Sequence, residues 1–275
     1  AVINGPNGPD AIPVIARDDS THPAADGVQD FTVSVNDSPE FLFLDPPAVT
    51  VNALSGSDEV VLRTPAPNNA DWDVAVELNG GAPSASDRLV VETPGDGAET
   101  VTYAPAASDG GTMQIVETSL ADATDVTLTG FEELRYDGEA DDDAVTVVGT
   151  GADDELVHSP GAGFDEGALR VNNLLALAYQ NLGAGASLTA DGAGGTNRLV
   201  YNGTAAGDAF TVDGAAIALN GRVPVTAANV TQLRLEGFDG DDVFDVLSDV
   251  GASPFTSLRL AGGEQASGLG DRALL

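Results

Sequence analysis

The sequence has no cysteine and no lysine. The first absence removes disulfides, thiol chemistry and zinc–thiolate sites together. The second leaves arginine as the only base. Ten Arg face 44 Asp and Glu, a formal net charge of −34 over 275 residues. Phosphate backbones and anionic lipid surfaces are held by clustered cations, so this balance excludes nucleic acid and anionic membranes as partners. Aromatic residues are scarce at 5%, with one Trp and one Met, although hydrophobic residues make up 42%. Apolar content drawn mainly from Val, Leu and Ala suits many thin layers better than one thick core, and it is too high for a disordered acidic tail. No apolar run approaches the ~20 residues that span a bilayer, so no membrane insertion is expected. The opening AVINGPNGPD carries neither the basic nor the apolar region of a signal peptide.

What is present is repetition. Leu134 to Val147 reads LRYDGEADDDAVTV and Leu233 to Val246 reads LRLEGFDGDDVFDV, aligned without a gap at an offset of 99. Looser copies are VNALSGSDEVVL from Val51 and YNGTAAGDAFTV from Tyr201. A second element joins a Gly-rich turn to Asp or Asn, then Arg, then an apolar strand: GGAPSASDRLVV, GAGGTNRLVY and GGEQASGLGDRALL. Its anchors Asp87, Asn197 and Asp271 lie 110 and 74 positions apart. Self-similarity of this kind marks architectures that stack one unit.

Between the turns, short runs alternate apolar and polar residues, as half-buried strands do. Only Asn172 to Leu182 offers a short helix, and it also reads as two strands around a turn. The expected fold is all-β: an elongated repeat domain over 49–275, foremost a right-handed parallel β-helix of about 22 residues per rung, with tandem β-sandwich modules as the alternative. Modules are expected at about 49–158, 159–250 and an incomplete 251–275. Residues 1–48, rich in Pro and Gly, read as an irregular linker or cap with short strands at 30–35 and 40–44.

The dense acidic turns are the candidate sites. Asp and Gly mixed in a turn can fold oxygen ligands around Ca²⁺, and like charges crowded together favour a divalent ion. The candidate ligands are Glu139, Asp141, Asp142 and Asp143 in one turn, and Asp239, Asp241, Asp242 and Asp245 in the other. Asp58 with Glu59, and Asp153 with Asp154, form leaner turns. The competing reading is that Asp and Gly only cap local backbone.

In YNGTAAGDAFTV, LEGFDGDDVFDV and TGADDELVHSPG the chain resembles the β-strand-repeat regions of very large secreted surface proteins of planctomycetes and similar bacteria. The resemblance covers most of Val49 to Leu275. It implies an extracellular structural or adhesive role and brings no catalytic residues with it.

Catalytic signals are thin. His22 lies in the N-terminal segment, and His158 is followed by Ser159, whose side chain points the other way in an extended chain. A β-helical polysaccharide lyase would need an Arg base such as Arg135 or Arg234 among acids that repel an anionic glycan. Trp72, between Asp71 and Asp73, offers a carbohydrate platform, although a lone Trp flanked by acids more often caps a hydrophobic edge. The expectation is therefore a non-enzymatic, Ca²⁺-stabilised structural or adhesive protein of the cell surface. It would associate with itself or with neighbouring repeats of a longer chain. The alternatives are a glycan- or protein-binding module and a polysaccharide lyase or hydrolase.

Overall fold

Period-two alternation decides the architecture. Along Glu59–Arg63, Val60 and Leu62 are buried while Glu59, Val61 and Arg63 face outward, and nearly every strand repeats this pattern. The structure, a computed structural model, describes residues 1–17, 30–66, 72–81, 86–95, 97–117, 123–247, 253–264 and 270–274. Among these there is no helix. All regular structure falls into two long sheets, of 13 and 12 strands.

The chain opens with β1 (Val2–Asn4) in the first sheet, then β2 (Ala11–Ala16), β3 (Phe31–Val33) and β4 (Phe41–Phe43) in the second. It then alternates between sheets through β5 (Ala48–Asn52), β6 (Glu59–Arg63), β7 (Ala75–Asn79) and β8 (Arg88–Glu92). A three-strand meander follows in the first sheet: β9 (Glu99–Ala107), β10 (Gly110–Glu117) and β11 (Thr124–Thr129). After β12 (Glu133–Asp137) and β13 (Ala144–Val148), a second meander lies in the second sheet: β14 (Glu155–Pro160), β15 (Gly167–Val171) and β16 (Leu177–Gln180). Then come β17 (Ser187–Asp191) and β18 (Arg198–Asn202). The first sheet receives a further meander: β19 (Ala209–Asp213), β20 (Ala216–Leu219) and β21 (Val225–Ala228). The chain ends on β22 (Gln232–Glu236), β23 (Val243–Val246), β24 (Ser257–Ala261) and β25 (Arg272–Leu274), alternating again.

Strands of successive rungs pair in parallel. Val60 lies beside Leu89, Leu89 beside Leu134 and Leu134 beside Leu177, so equivalent side chains form continuous buried columns between the sheets. Antiparallel pairing occurs inside the meanders. In each, the chain enters on the far strand and folds back: β9 pairs with the following β13, and β11 with the preceding β7. The second meander does the same with β18 and β12, the third with β23 and β17. In the N-terminal meander β2 pairs with β6, whereas β4 forms the sheet edge. Outside the core an amide ladder fixes register: Asn52 Nδ2 donates to Asn4 Oδ1 at 2.8 Å, and Asn79 Nδ2 to Asn52 Oδ1 at 2.9 Å.

Two expectations change. A rung is not 22 residues: equivalent positions are 25–29 apart where the chain simply alternates and 34–50 apart where a meander intervenes. Of the two readings of Asn172 to Leu182, the structure has the turn and strand and not the helix. Asn172 turns the chain at φ 51° and β16 follows, because pairing with β12 and β15 buries Leu177 and Tyr179. The Pro- and Gly-rich start is more regular than its composition suggests. Pro13 sits in β2 with its side chain outward, while Ile12 and Val14 enter the core.

Candidate metal centre at the acidic corners

Most corners that lead into a strand place Asp, Asn or Glu at its threshold, and these residues stack rung on rung. The amide of Asp10 donates to Asp58 Oδ1 at 2.8 Å, and the amide of Asp58 to Asp87 Oδ1 at 2.8 Å. Asp154 donates to Asn197 Oδ1 at 2.9 Å, Asp208 to Asp242 Oδ1 at 2.9 Å and Asp242 to Asp271 Oδ1 at 3.0 Å. A backbone N–H at a corner has no strand partner and would otherwise be orphaned, so each side chain satisfies a donor of the preceding rung. At Asp10, Asp143, Asp154, Asn197, Asp208 and Asp242 the companion residue is Gly five positions earlier. A Cβ on Gly138 or Gly237 would overlap Oδ2 of Asp143 or Asp242, which folds back over that glycine.

The acids of the two dense turns therefore have different fates. Asp143 and Asp242 are fully buried ladder members. Glu139 is exposed, at φ 51°, and Asp142 is exposed with Oδ1 accepting the Gly185 amide at 2.6 Å. Asp239 is exposed and Asp241 half-buried. Asp245 lies on the outer side of β23 beside Thr211, apart from the turn. In the leaner turns Asp58 and Asp154 belong to the ladder, Glu59 is paired with Arg88, and Asp153 Oδ1 accepts the Thr196 amide at 2.7 Å.

Among the described residues, one set of acids converges as a metal-sized group: Glu99, Asp141 and Asp143, with one carboxylate oxygen from each within 4.8 Å of the others. These three residues could hold a metal ion. Glu99 opens β9, and its amide donates to Asp143 Oδ1 at 2.9 Å, so it occupies the ladder position with a side chain one methylene longer than Asp. Asp141 Oδ2 accepts the Gly97 amide at 3.1 Å, closing the corner from the other side. Tyr136, fully buried, donates its hydroxyl to Asp143 Oδ2 at 2.7 Å and shares a 3.0 Å hydrogen bond with Thr93.

Burial dominates the electrostatics here. Glu99 is pushed far above the usual carboxylate range, first by desolvation, then by its approach to Asp143 and the charges of Asp143 and Asp141. Asp143 is also raised by burial, less so because the Glu99 amide and the Tyr136 hydroxyl stabilise its charge. Neither oxygen of Glu99 accepts a hydrogen bond of good geometry, although Thr93 and Asp143 lie close enough to influence it. On the ladder, Asp58, Asp87 and Asp242 are likewise raised by burial.

Sequence reasoning missed Glu99 because it lies 44 residues before Asp143. The available signal was the match of ETVTY to DAVTV, which gives Glu99 the register of Asp143.

The other candidates lie elsewhere. His158 is buried, with Nε2 2.7 Å from the Tyr179 hydroxyl, and burial holds its pKa down at about 3. Ser159 instead accepts Asn202 Nδ2 at 3.1 Å. Arg135 pairs with Glu133 at 3.7 Å, and Arg234 pairs with Glu236. Trp72 is buried against Phe31 and donates Nε1 to the Asp30 carbonyl at 2.8 Å. His22 and Asp71 lie outside the described residues. No protein-family model, no curated protein and no solved structure matches the chain.

Proposed function

We propose that this chain is a non-catalytic structural or adhesive protein of the cell exterior, which extends by strand addition at the ends of its two sheets. The observation that carries the reading is the chemistry of those ends. Edge strands β1 and β4 expose Val2 (68%), Phe41 (61%) and Leu42 (37%), and edge strands β24 and β25 expose Leu258 (38%) and Leu274 (55%). In the interior meanders the strand equivalent to β4 is always covered by a parallel neighbour, as β11 is by β7. An uncovered apolar edge is a template for pairing. A neighbouring copy or adjoining repeats of a longer chain would supply the cover.

The outer surface supports a repetitive role. Thr102, Thr146, Thr189 and Thr226 stand in register on neighbouring strands of the first sheet. The glycan-binding reading loses its platform, since Trp72 and all four Tyr are buried. For the Glu99, Asp141 and Asp143 group we propose Ca²⁺ as the ion, because its side-chain donors are hard carboxylate oxygens without nitrogen or sulfur.

Sedimentation velocity and electron microscopy across a concentration series test assembly. End-to-end oligomers that Phe41→Lys abolishes are expected. Wild-type particles that stay monomeric at every concentration would contradict it.

A further inference from the structure

We propose that Glu99, Asp141 and Asp143 form a buried divalent-cation site that clamps the start of β9 to the corner leading into β13. The ligand set differs from the acidic turn as the sequence presents it: Glu99 enters from another rung, while Glu139 and Asp142 face away. A cluster of acids alone would not carry this, because such clusters are common at turns. Glu99 does. It is fully buried, neither oxygen has a well-formed hydrogen bond, and its carboxylate is directed at those of Asp141 and Asp143. A buried carboxylate is costly unless a proton or a cation neutralises it, and none of the groups that act on Glu99 is a cation.

The donors select the class of ion. Three carboxylate oxygens within 4.8 Å of one another can share one hard divalent cation, and Ca²⁺ accepts such oxygens in flexible geometry whereas Mg²⁺ demands a near-ideal octahedron. Glu117 is also buried and lies directly across from Glu99 on β10, so a fourth carboxylate stands on the same inward face. The second dense turn lacks this arrangement. Gly240 occupies the position of Asp141 there, and Asp208, which takes the place of Glu99, spends its carboxylate on Thr204 and Asn220. The site thus sits where the first meander leaves the rung. An ion there would add a link between two segments 44 residues apart, at the corner just ahead of the parallel pairing of β9 with β13.

This inference rests on the calcium reading only for the choice of ion and is independent of assembly. The test is calorimetric titration of chelator-treated chain with Ca²⁺ and with Mg²⁺, alongside thermal melting with and without Ca²⁺. Wild type is expected to bind one Ca²⁺ with a Kd at or below about 10⁻⁴–10⁻³ M, more weakly Mg²⁺, and to melt higher with Ca²⁺. Glu99→Gln should weaken binding at least tenfold and lose the Ca²⁺-dependent rise in Tm. Its Tm in chelator should stay close to that of wild type, because the amide keeps the size and shape of the carboxyl group. Asp141→Asn, at the half-exposed end, gives a second reading should Glu99→Gln fail to fold. The double variant Asp239→Asn with Asp241→Asn should bind as wild type does. Absence of Ca²⁺ binding by wild type, or equal affinity in wild type and both site variants, would overturn the site and leave the assembly result untouched.

Discussion

The amide of Asp208 donates to Oδ1 of Asp242 at 2.9 Å, across 34 residues of sequence, and both side chains are buried. The bond belongs to a column, because the amide of Asp242 in turn donates to Asp271. Acidic residues at these corners thus act first as hydrogen-bond acceptors for the neighbouring rung. Their charge is a burden that burial makes heavier, as the raised pKa of Asp242 reflects.

Asp242→Ala is therefore expected to destabilise the chain by about 1–3 kcal/mol, since it strands the Asp208 amide. Asp242→Asn should be neutral or stabilising at pH 7. Asn197 already occupies a ladder position, accepting the Asp154 amide through Oδ1 and donating Nδ2 to the carbonyls of Gly194 and Asn229. Urea denaturation of the two variants separates acceptor from charge.

Gly237→Ala should cost about 1–3 kcal/mol through overlap of its Cβ with Oδ2 of Asp242. Combining it with Asp242→Ala should cost less than the sum of the two single changes, because the clash disappears with the carboxylate. A double-mutant cycle by denaturation checks the coupling, and strict additivity would contradict the contact.

His158 sets a pH dependence of definite sign. Its pKa is held down at about 3 by burial and then by the charge of Arg222, so the unfolded chain takes up a proton near pH 6.5 that the folded chain refuses. Stability supplied by the neutral ring is complete above about pH 6.5 and falls by roughly 1.4 kcal/mol per pH unit as pH drops toward 3. His158→Phe removes this slope. The stability difference between wild type and variant, from urea midpoints at pH 7, 6, 5 and 4, should shift against wild type as pH falls.

Ion pairs on the outer face of the second sheet should matter little. Arg63 and Glu92 lie 2.5 Å apart, but Arg63 is more than half exposed, so a double-mutant cycle should return less than about 1 kcal/mol.

Much of the fold is legible in the sequence, for physical reasons. Period-two alternation in stretches such as EVVLR and ELRYD requires one buried face, and a gapless copy at an offset of 99 requires stacking. Rung length is hidden because β9–β11, β14–β16 and β19–β21 alternate just as the rung strands do. Only long-range pairing shows that they fold back within one sheet. The acidic turns are visible as turns, yet their division of labour is not. Whether Asp143 faces a neighbouring amide or an ion depends on what the adjacent rung brings, and for Asp143 that is Glu99. Trp72 stands between acids in the sequence, and only the pairing that brings Phe31 to it shows which hydrophobic edge it packs on.

Amide hydrogen exchange at the corner residues tests the ladder most directly. The amides of Asp10, Asp58, Asp154, Asp208 and Asp242 lie outside the strands and point at side-chain oxygens of the next rung. They are expected to exchange as slowly as interior strand amides such as those of β18, and Asp242→Ala should release the Asp208 amide selectively. Exchange of these amides at the rate of exposed turns in the wild-type chain would contradict the account.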